Sequence, residues 1–415
     1  MKYFVALAFA ACLISSPALA TMDPNDPEIL ITDGEFFGEI RYRYEHVEQG
    51  SFANDADAHT VRTNVGFKTG TFKNFQALFE GQIVQNVAEE DFNSLDNGQT
   101  TFPVVADPNT GEINRAWIAY SGIPDTNIKI GRQAMNIDNQ RFIGTVGWRQ
   151  NDQTFDALSI TNESIDKFSF MYSYIHDVNR IFEGSTPPDD LDSESHIAGV
   201  SYNVADWLKL KGYGYWLEFD NAAALSSQTY GIRATGDVPI ANTDWTFFYE
   251  AEAATQEDYG NNTASYDEEY YHIAPGIKGH GFSLKVGYEE LGGNGTNAFQ
   301  TPLATLHKFN GWSDQFLATP AAGLEDTYVA ASYKVSGTQT HFDGTKLHAA
   351  YHEFDGDSSG DFGSELNLSV GKTFKIDDGF GFDSVSLLVK YADYDAEDAP
   401  RTDTEKLWFQ IGFKF

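Results

Sequence analysis

The chain has 415 residues, 41% of them hydrophobic and 14% aromatic, yet its mean hydropathy is −0.38. No stretch approaches the roughly 18 consecutive apolar residues of a spanning helix, so an α-helical membrane protein is excluded. With 27 Lys plus Arg against 61 Asp plus Glu the formal charge is −34, and no basic footprint for nucleic acid is present.

At the N-terminus, Met1-Lys2 forms a short positive segment, Tyr3 to Ile14 is apolar, and Ala18-Leu19-Ala20 has the A-x-A form of a signal-peptidase site. Residues 1–20 read as a signal peptide, 21–35 as a short periplasmic segment and 36–415 as the folded unit. Cys12, the only cysteine, would leave with the signal, so no disulfide framework is expected. Loss of residues 1–20 removes Lys2 and no acid, taking the formal charge to −35.

From Phe36 onward the chain repeats alternating runs separated by turns. Ile40, Tyr42 and Tyr44 oppose Arg41 and Arg43; Val61, Thr63, Val65 and Phe67 oppose Arg62 and Asn64; Phe75, Ala77, Phe79 and Ile83 oppose Gln76, Glu80 and Gln82. Period-two alternation places one set on each face of a strand. A slip of one residue would move the charges to the apolar side, at about 2–4 kcal/mol for each Arg or Lys near a bilayer midplane, so the register is well specified. Similar runs recur near residues 154–160, 168–174, 196–202, 208–216, 230–234, 245–251, 282–288, 329–333, 347–351, 366–370 and 385–391. Runs 113–120, 128–132 and 270–277 have mixed faces, where a bulge would re-aim side chains. The chain ends in Leu407-Trp-Phe-Gln-Ile-Gly-Phe-Lys-Phe415, strict alternation closing on an aromatic residue. His196 falls on an outward face and His348 and His352 on an inward one.

These runs make about 18 strands, an even number, with many exposed rings beside a polar average. The pattern predicts an all-β fold: a single antiparallel transmembrane up-and-down barrel with short periplasmic turns and long acidic extracellular loops. Residues 70–74, 122–126, 162–166, 204–206 and 279–281 read as the short turns, while 337–345 and 376–381 are longer than the rule favours. Glu89 to Asp91, Asp189 to Glu194, Asp267 to Glu269, Asp355 to Asp361 and Asp393 to Asp398 are placed outside strands, as solvated loops that keep neighbouring molecules apart. Calcium spacing at Asp355, Asp357 and Asp361 lacks the bidentate Glu, and no metal or cofactor is expected.

Catalysis finds no support. Gly356-Asp-Ser358-Ser-Gly360 matches G-x-S-x-G, but a strand follows where a nucleophile elbow needs a helix. The ten histidines show no H-E-x-x-H spacing. The chain is therefore read as a non-enzyme.

Two stretches are neither strand nor generic loop. One runs through Gly131-Arg132-Gln133, then Asp138 to Gly144 with Asn139 and Arg141, then Trp148-Arg149-Gln150 to Ala157. The other is His307-Lys308-Phe309-Asn310-Gly311-Trp312-Ser313-Asp314-Gln315-Phe316-Leu317. Both mix cations with amides and Trp, the set that holds sugar hydroxyls and carboxylates; the alternative is a loop held by its own polar network. These segments resemble the alginate export family of outer-membrane barrels. The resemblance implies an eighteen-stranded barrel with an arginine-lined constriction for an anionic polysaccharide, with Arg132, Arg141 and Arg149 as the residues able to inherit anion contact. The acidic balance departs from that pattern. Because the Debye length is about 8 Å and the apolar band about 25 Å tall, acids at the mouth are screened from a mid-barrel constriction, and local charge decides. Arg41, Arg43, Arg62, Arg115 and Arg233 fall on or near inward positions beside Glu39, Glu80, Glu250 and Glu252.

The sequence thus predicts a passive channel in the outer membrane of a Gram-negative bacterium for an anionic or hydroxyl-rich solute such as an acidic oligosaccharide or polysaccharide. The alternatives are a small-solute porin and, from other classes, an outer-membrane hydrolase or a structural barrel. Expected partners are outer-membrane lipid and lipopolysaccharide, the barrel-assembly machinery acting on the closing strand, and the solute.

Overall fold

The computed structural model describes residues 26–184, 187–376, 381–398 and 400–415. The proposed signal peptide lies outside the described residues. A short helix, α1 (Ile29–Thr32), precedes the strands β1 (Glu35–Gln49), β2 (Ala56–Lys68), β3 (Phe75–Asn86), β4 (Thr110–Tyr120), β5 (Thr126–Gln133) and β6 (Thr154–Asn162). There follow β7 (Phe168–Asn179), β8 (Asp190–Ala205), β9 (Leu208–Leu217), β10 (Ser227–Pro239), β11 (Thr246–Asp258) and β12 (Asp267–Gly279). The last six are β13 (Phe282–Leu291), β14 (Leu324–Lys334), β15 (Lys346–Asp355), β16 (Asp361–Lys375), β17 (Ser384–Asp395) and β18 (Thr404–Lys414).

Every strand pairs antiparallel with its neighbours in sequence, and β18 returns to β1, giving one closed 18-stranded sheet. Closure leaves no sheet edge, which a bilayer requires because lipid cannot satisfy backbone groups. At the seam Ile40 faces Phe413 and Tyr42 faces Ile411 on the apolar side, while Glu39 faces Lys414 on the other. Phe415 completes the seam by exchanging backbone hydrogen bonds with Gly38, at 2.8 and 3.1 Å.

The alternation holds around the wall. Phe79, Ile118, Ile130, Ile232 and Ile273 are each more than half exposed and face outward, whereas Arg43, Glu45, Glu80, Glu289 and Glu365 are buried inside. His196 lies on the outer face, where Tyr172 Oη meets its Nδ1 at 2.8 Å; His348 and His352 face inward. A bulge occurs in β4: Glu80 faces Arg115 and Gly81 faces Ile113, so Asn114 is the extra residue. In β5 and β12 the pairings continue without a register shift, and the mixed faces there come from sequence alone.

The acidic segments require a correction. Asp190, Asp192 and Glu194 belong to β8, Asp267 to Glu269 open β12, Asp355 ends β15, Asp361 opens β16, and Asp393 and Asp395 lie in β17. A membrane strand needs only about 9–11 residues to cross, yet β8 has 16 and β16 has 15. The surplus continues the ladder into water, where charged side chains are tolerated on both faces. Connections 50–55 and 356–360 are short for the same reason. Long connections remain at 87–109, 134–153 and 292–323, all at one end of the barrel; the short turns at the other end mark it as periplasmic.

Candidate functional site: two loops inside the barrel

Loops 134–153 and 292–323 fold into the lumen and join each other. Ile143 and Leu303 form a parallel bridge, Gly144 N donates to Leu303 O at 2.9 Å, and Thr305 N donates to Gln140 O at 3.1 Å. The approach is so close that a Cβ on Gly144 would clash with Thr305 Oγ1. Local polar turns shape the first loop: Asn139 Oδ1 accepts from Arg141 N, and Asn136 Oδ1 accepts from Thr145 N, both at 3.1 Å. Its apolar residues hold it inside, since Phe142 and Ile143 pack among Tyr213, Tyr270, Phe299 and Leu303. Burial of each such side chain contributes about 1.5–3 kcal/mol.

A second junction fastens both loops to the wall. The Trp148 and His307 rings stack at 4.5 Å with 4° between planes, and Lys390 Nζ from β17 lies 3.8 Å from the Trp148 ring centre and 3.7 Å from that of Trp312. His307 donates Nδ1–H to Asp314 Oδ1 at 2.7 Å, which leaves Nε2 to accept from Lys390 Nζ at 2.7 Å. Burial and the neighbouring Lys390 charge push His307 well below its ordinary range, so the ring is neutral. Burial acts against the Asp314 carboxylate, but Lys406, His307 and Arg149 together hold it well below the usual range. Glu365 of β16 accepts from Ser313 N at 3.0 Å and also from Trp312 N and Ser313 Oγ.

The arginines singled out in the sequence are engaged. Arg141 is 2% exposed; its Nε donates to Glu289 at 2.8 Å and its Nη2 to Asn310 at 3.1 Å. Arg149 spans Glu45 at 3.0 Å and Asp314 at 2.9 Å, and despite burial those acids, with Asp107, raise its proton affinity. Arg41 holds Gln150 Oε1 at 2.9 Å; Gln150 also reaches Thr60. Arg43 donates to Trp148 O and lies 4.0 Å over that ring. Arg62 bridges Glu39 and Asp152, Arg115 pairs with Glu80, and Arg233 pairs with Glu250 at 2.8 Å. Asn139 donates to Glu250, Lys308 to Asn139 O, and Asn310 to Glu289 and Asp326.

Arg132 is the exception in placement. It shares its face with Ile130, and its partner Asp156 shares one with Leu158, so the pair lies on the outer wall rather than in the lumen. Alternation overrides the loop-like composition here. Across the next strands the row continues through Asp177 and Asp192, and with Asp190 these carboxylates gather within 4.8 Å. Gln133, the next residue, points inward and donates to Ala157 O.

The two loops lie between differing cavities. Above them is an extracellular vestibule of about 480 Å³, lined by apolar residues with Arg149, Arg180 and Lys406. Towards the periplasm are chambers of about 610, 440 and 280 Å³. Lys167, Lys209 and Lys285 line the first of these and Lys129 and Lys209 the second. Among the described residues, Lys129, Lys167, Lys209 and Lys285 make no ion pair; of the acids beside them, Asp138, Asp237 and Glu250 are paired with Lys211, Lys278 and Arg233, while Asp206 and Glu163 are in no ion pair, so four such lysines face two such acids.

The motif-based reading passed over these lysines, and also Glu45, Glu289, Glu365 and Lys390. Parity carried the signal: Lys209 flanks outward Leu210, and Lys285 sits between outward Leu284 and Val286. The partner of each buried arginine, by contrast, depends on how a loop folds back, which no spacing encodes.

A closed barrel with in-folded loops and charged walls defines an outer-membrane channel. The alginate export family model matches residues 34–362, and the chain belongs to that family. The fold is similar to Acinetobacter baumannii OccAB2, at TM-score 0.73 and 15% identity over 93% of this chain and 99% of that one. It is also similar to Pseudomonas aeruginosa OccK1 (OpdK), at TM-score 0.69 and 14% identity over 92% and 98%. Among curated protein sequences, none matches the chain.

Proposed function

We propose that this passive channel conducts anionic, hydroxyl-rich solutes, most concretely acidic oligosaccharides or polysaccharides such as alginate. The observation that carries this reading is the periplasmic-side wall of lysines that make no ion pair among the described residues. Around Lys129 and Lys209 the same chamber presents Asn127, Ser159, Thr161, Ser169, Ser173 and Ser201, hydroxyl and amide groups suited to sugar hydroxyls. Each carboxylate–ammonium contact at 4 Å contributes about 1 kcal/mol in water-like surroundings, so a polyanion meeting several gains what a single anion does not.

The test is reversal-potential recording in planar bilayers. The parent protein is expected to prefer anions and to be blocked by oligouronates. The quadruple Lys129→Gln, Lys167→Gln, Lys209→Gln, Lys285→Gln variant should lose most of that preference while keeping its melting temperature. Cation preference in the parent protein would overturn the proposal.

A further inference from the structure

The extracellular vestibule differs in chemistry from the lysine chambers. Phe52, Val104, Phe182, Leu306 and Leu317 give it apolar walls, with few groups for sugar hydroxyls. Its charged lining is Arg149, Arg180, Lys406 and one acid, Asp314, a local excess of cations in a chain of charge −34.

These cations are not equivalent. Arg149 and Lys406 both bind Asp314, and Arg149 also binds Glu45. Arg180 follows β7, is half-buried, and has no carboxylate within ion-pair distance among the described residues. Its guanidinium lies 4.5 Å over the Phe182 ring, and one nitrogen donates to Pro188 O at 3.3 Å. Burial lowers its proton affinity with no acid to offset it. A partly desolvated cation without an anion is costly, and an incoming carboxylate relieves that cost.

We infer that Arg180 and the apolar vestibule walls form an extracellular capture subsite for an amphiphilic carboxylate, one anionic group on an apolar or aromatic body. The volume of about 480 Å³ lies in the range of small-molecule sites. Arg180 would hold the carboxylate while Phe182 and Leu317 cover the body. This rests on the reading of the barrel as an anion route but adds a solute class that the lysine chambers do not favour.

The experiment is titration calorimetry on the purified full-length barrel with benzoate, acetate, benzyl alcohol and glucuronate as probes, beside bilayer recordings of the same preparations. Benzoate should bind at least about tenfold more tightly than the other three, since a charge-assisted bond and buried apolar area are both needed. Arg180→Gln should weaken benzoate about tenfold and leave the anion-to-cation permeability ratio unchanged; Arg180→Lys should recover part of the binding. Phe182→Ser should weaken benzoate but not acetate. Equal binding of benzoate and acetate, or an Arg180→Gln variant with unaltered benzoate affinity, would overturn the subsite. Retained anion preference alongside either result would leave the channel reading intact, while loss of preference with benzoate binding intact would remove the channel reading alone.

Discussion

Two sets of cations line this lumen, and they differ in what faces them. Arg41, Arg43, Arg62, Arg141 and Arg149 sit where the in-folded loops meet the wall, with acids, amides or carbonyls in bonding distance. Lys129, Lys167, Lys209 and Lys285 face open chambers with no ion pair among the described residues. A guanidinium offers a rigid fork suited to fixing two structural elements, and an ammonium is a mobile point charge suited to a passing solute. Positive charge is therefore divided between holding the loops and lining the route, and the arginine-rich motif marks the first task. A polyanion passing the arginine layer would have to displace Glu45, Glu289 or Asp314.

The largest effect should come from removing an arginine. Taking one partner from a buried ion pair costs about 3–5 kcal/mol because the other charge stays buried alone. Arg141→Ala with Arg149→Ala should strand Glu289 and Glu45, release the loops, lower the melting temperature strongly and raise single-channel conductance. If the double variant instead kept its melting temperature and lost only anion preference, the arginines would be route residues and the comparison would invert. The lysine variants supply the other arm, with selectivity altered and stability kept.

A smaller effect, confined to the loop junction, follows from His307. Its folded affinity for protons is depressed below the ordinary value of 6.5, so as pH falls through that value the unfolded chain gains a proton that the folded chain refuses. Stability at this site is thus lost progressively below about pH 6.5. Asp314 is also depressed, but its contribution is present above 3.8 and lost only at more acid pH, so of this pair it is His307 whose proton balance differs between pH 7 and pH 5. Between those values the His307 contribution should lower the melting temperature and lengthen open events, so the parent should lose more stability than His307→Phe over the same interval. A His307→Phe variant whose melting temperature changed between pH 7 and pH 5 by as much as the parent's would refute the assignment.

The barrel was largely legible because alternation is local and every strand repeats it. The seam, the inward charges of β1 and β2 and the outward rings of β18 all follow from parity. The two unusual stretches were also legible as a pair by composition, and Gly144 against Thr305 shows them touching. Their partners were not legible. Glu289 lies far along the chain from Arg141, and nothing in either segment specifies that pairing. Arg132 shows the converse: its motif suggested a lumen residue, while its strand position beside Ile130 fixes it outside.

The smallest effect concerns the outer rim and tests whether distance or net charge governs the route. Asp177, Asp190 and Asp192 lie on the outward face near the extracellular end, separated from the lumen by the wall that Leu191 and Val178 bury against. At physiological salt the Debye length is about 8 Å, so these acids act weakly on a solute inside the barrel. Changing Asp177, Asp190 and Asp192 to Asn should leave reversal potential almost unmoved at 0.15 M salt, and shift it slightly towards anions at 0.01 M, where the screening length grows to about 30 Å. Relieving repulsion among three clustered carboxylates should also leave stability equal or slightly higher. A large shift at 0.15 M would place these acids close to the conduction route, and the division between the loop-holding arginines and the four lysines without an ion pair among the described residues would then no longer account for selectivity by itself.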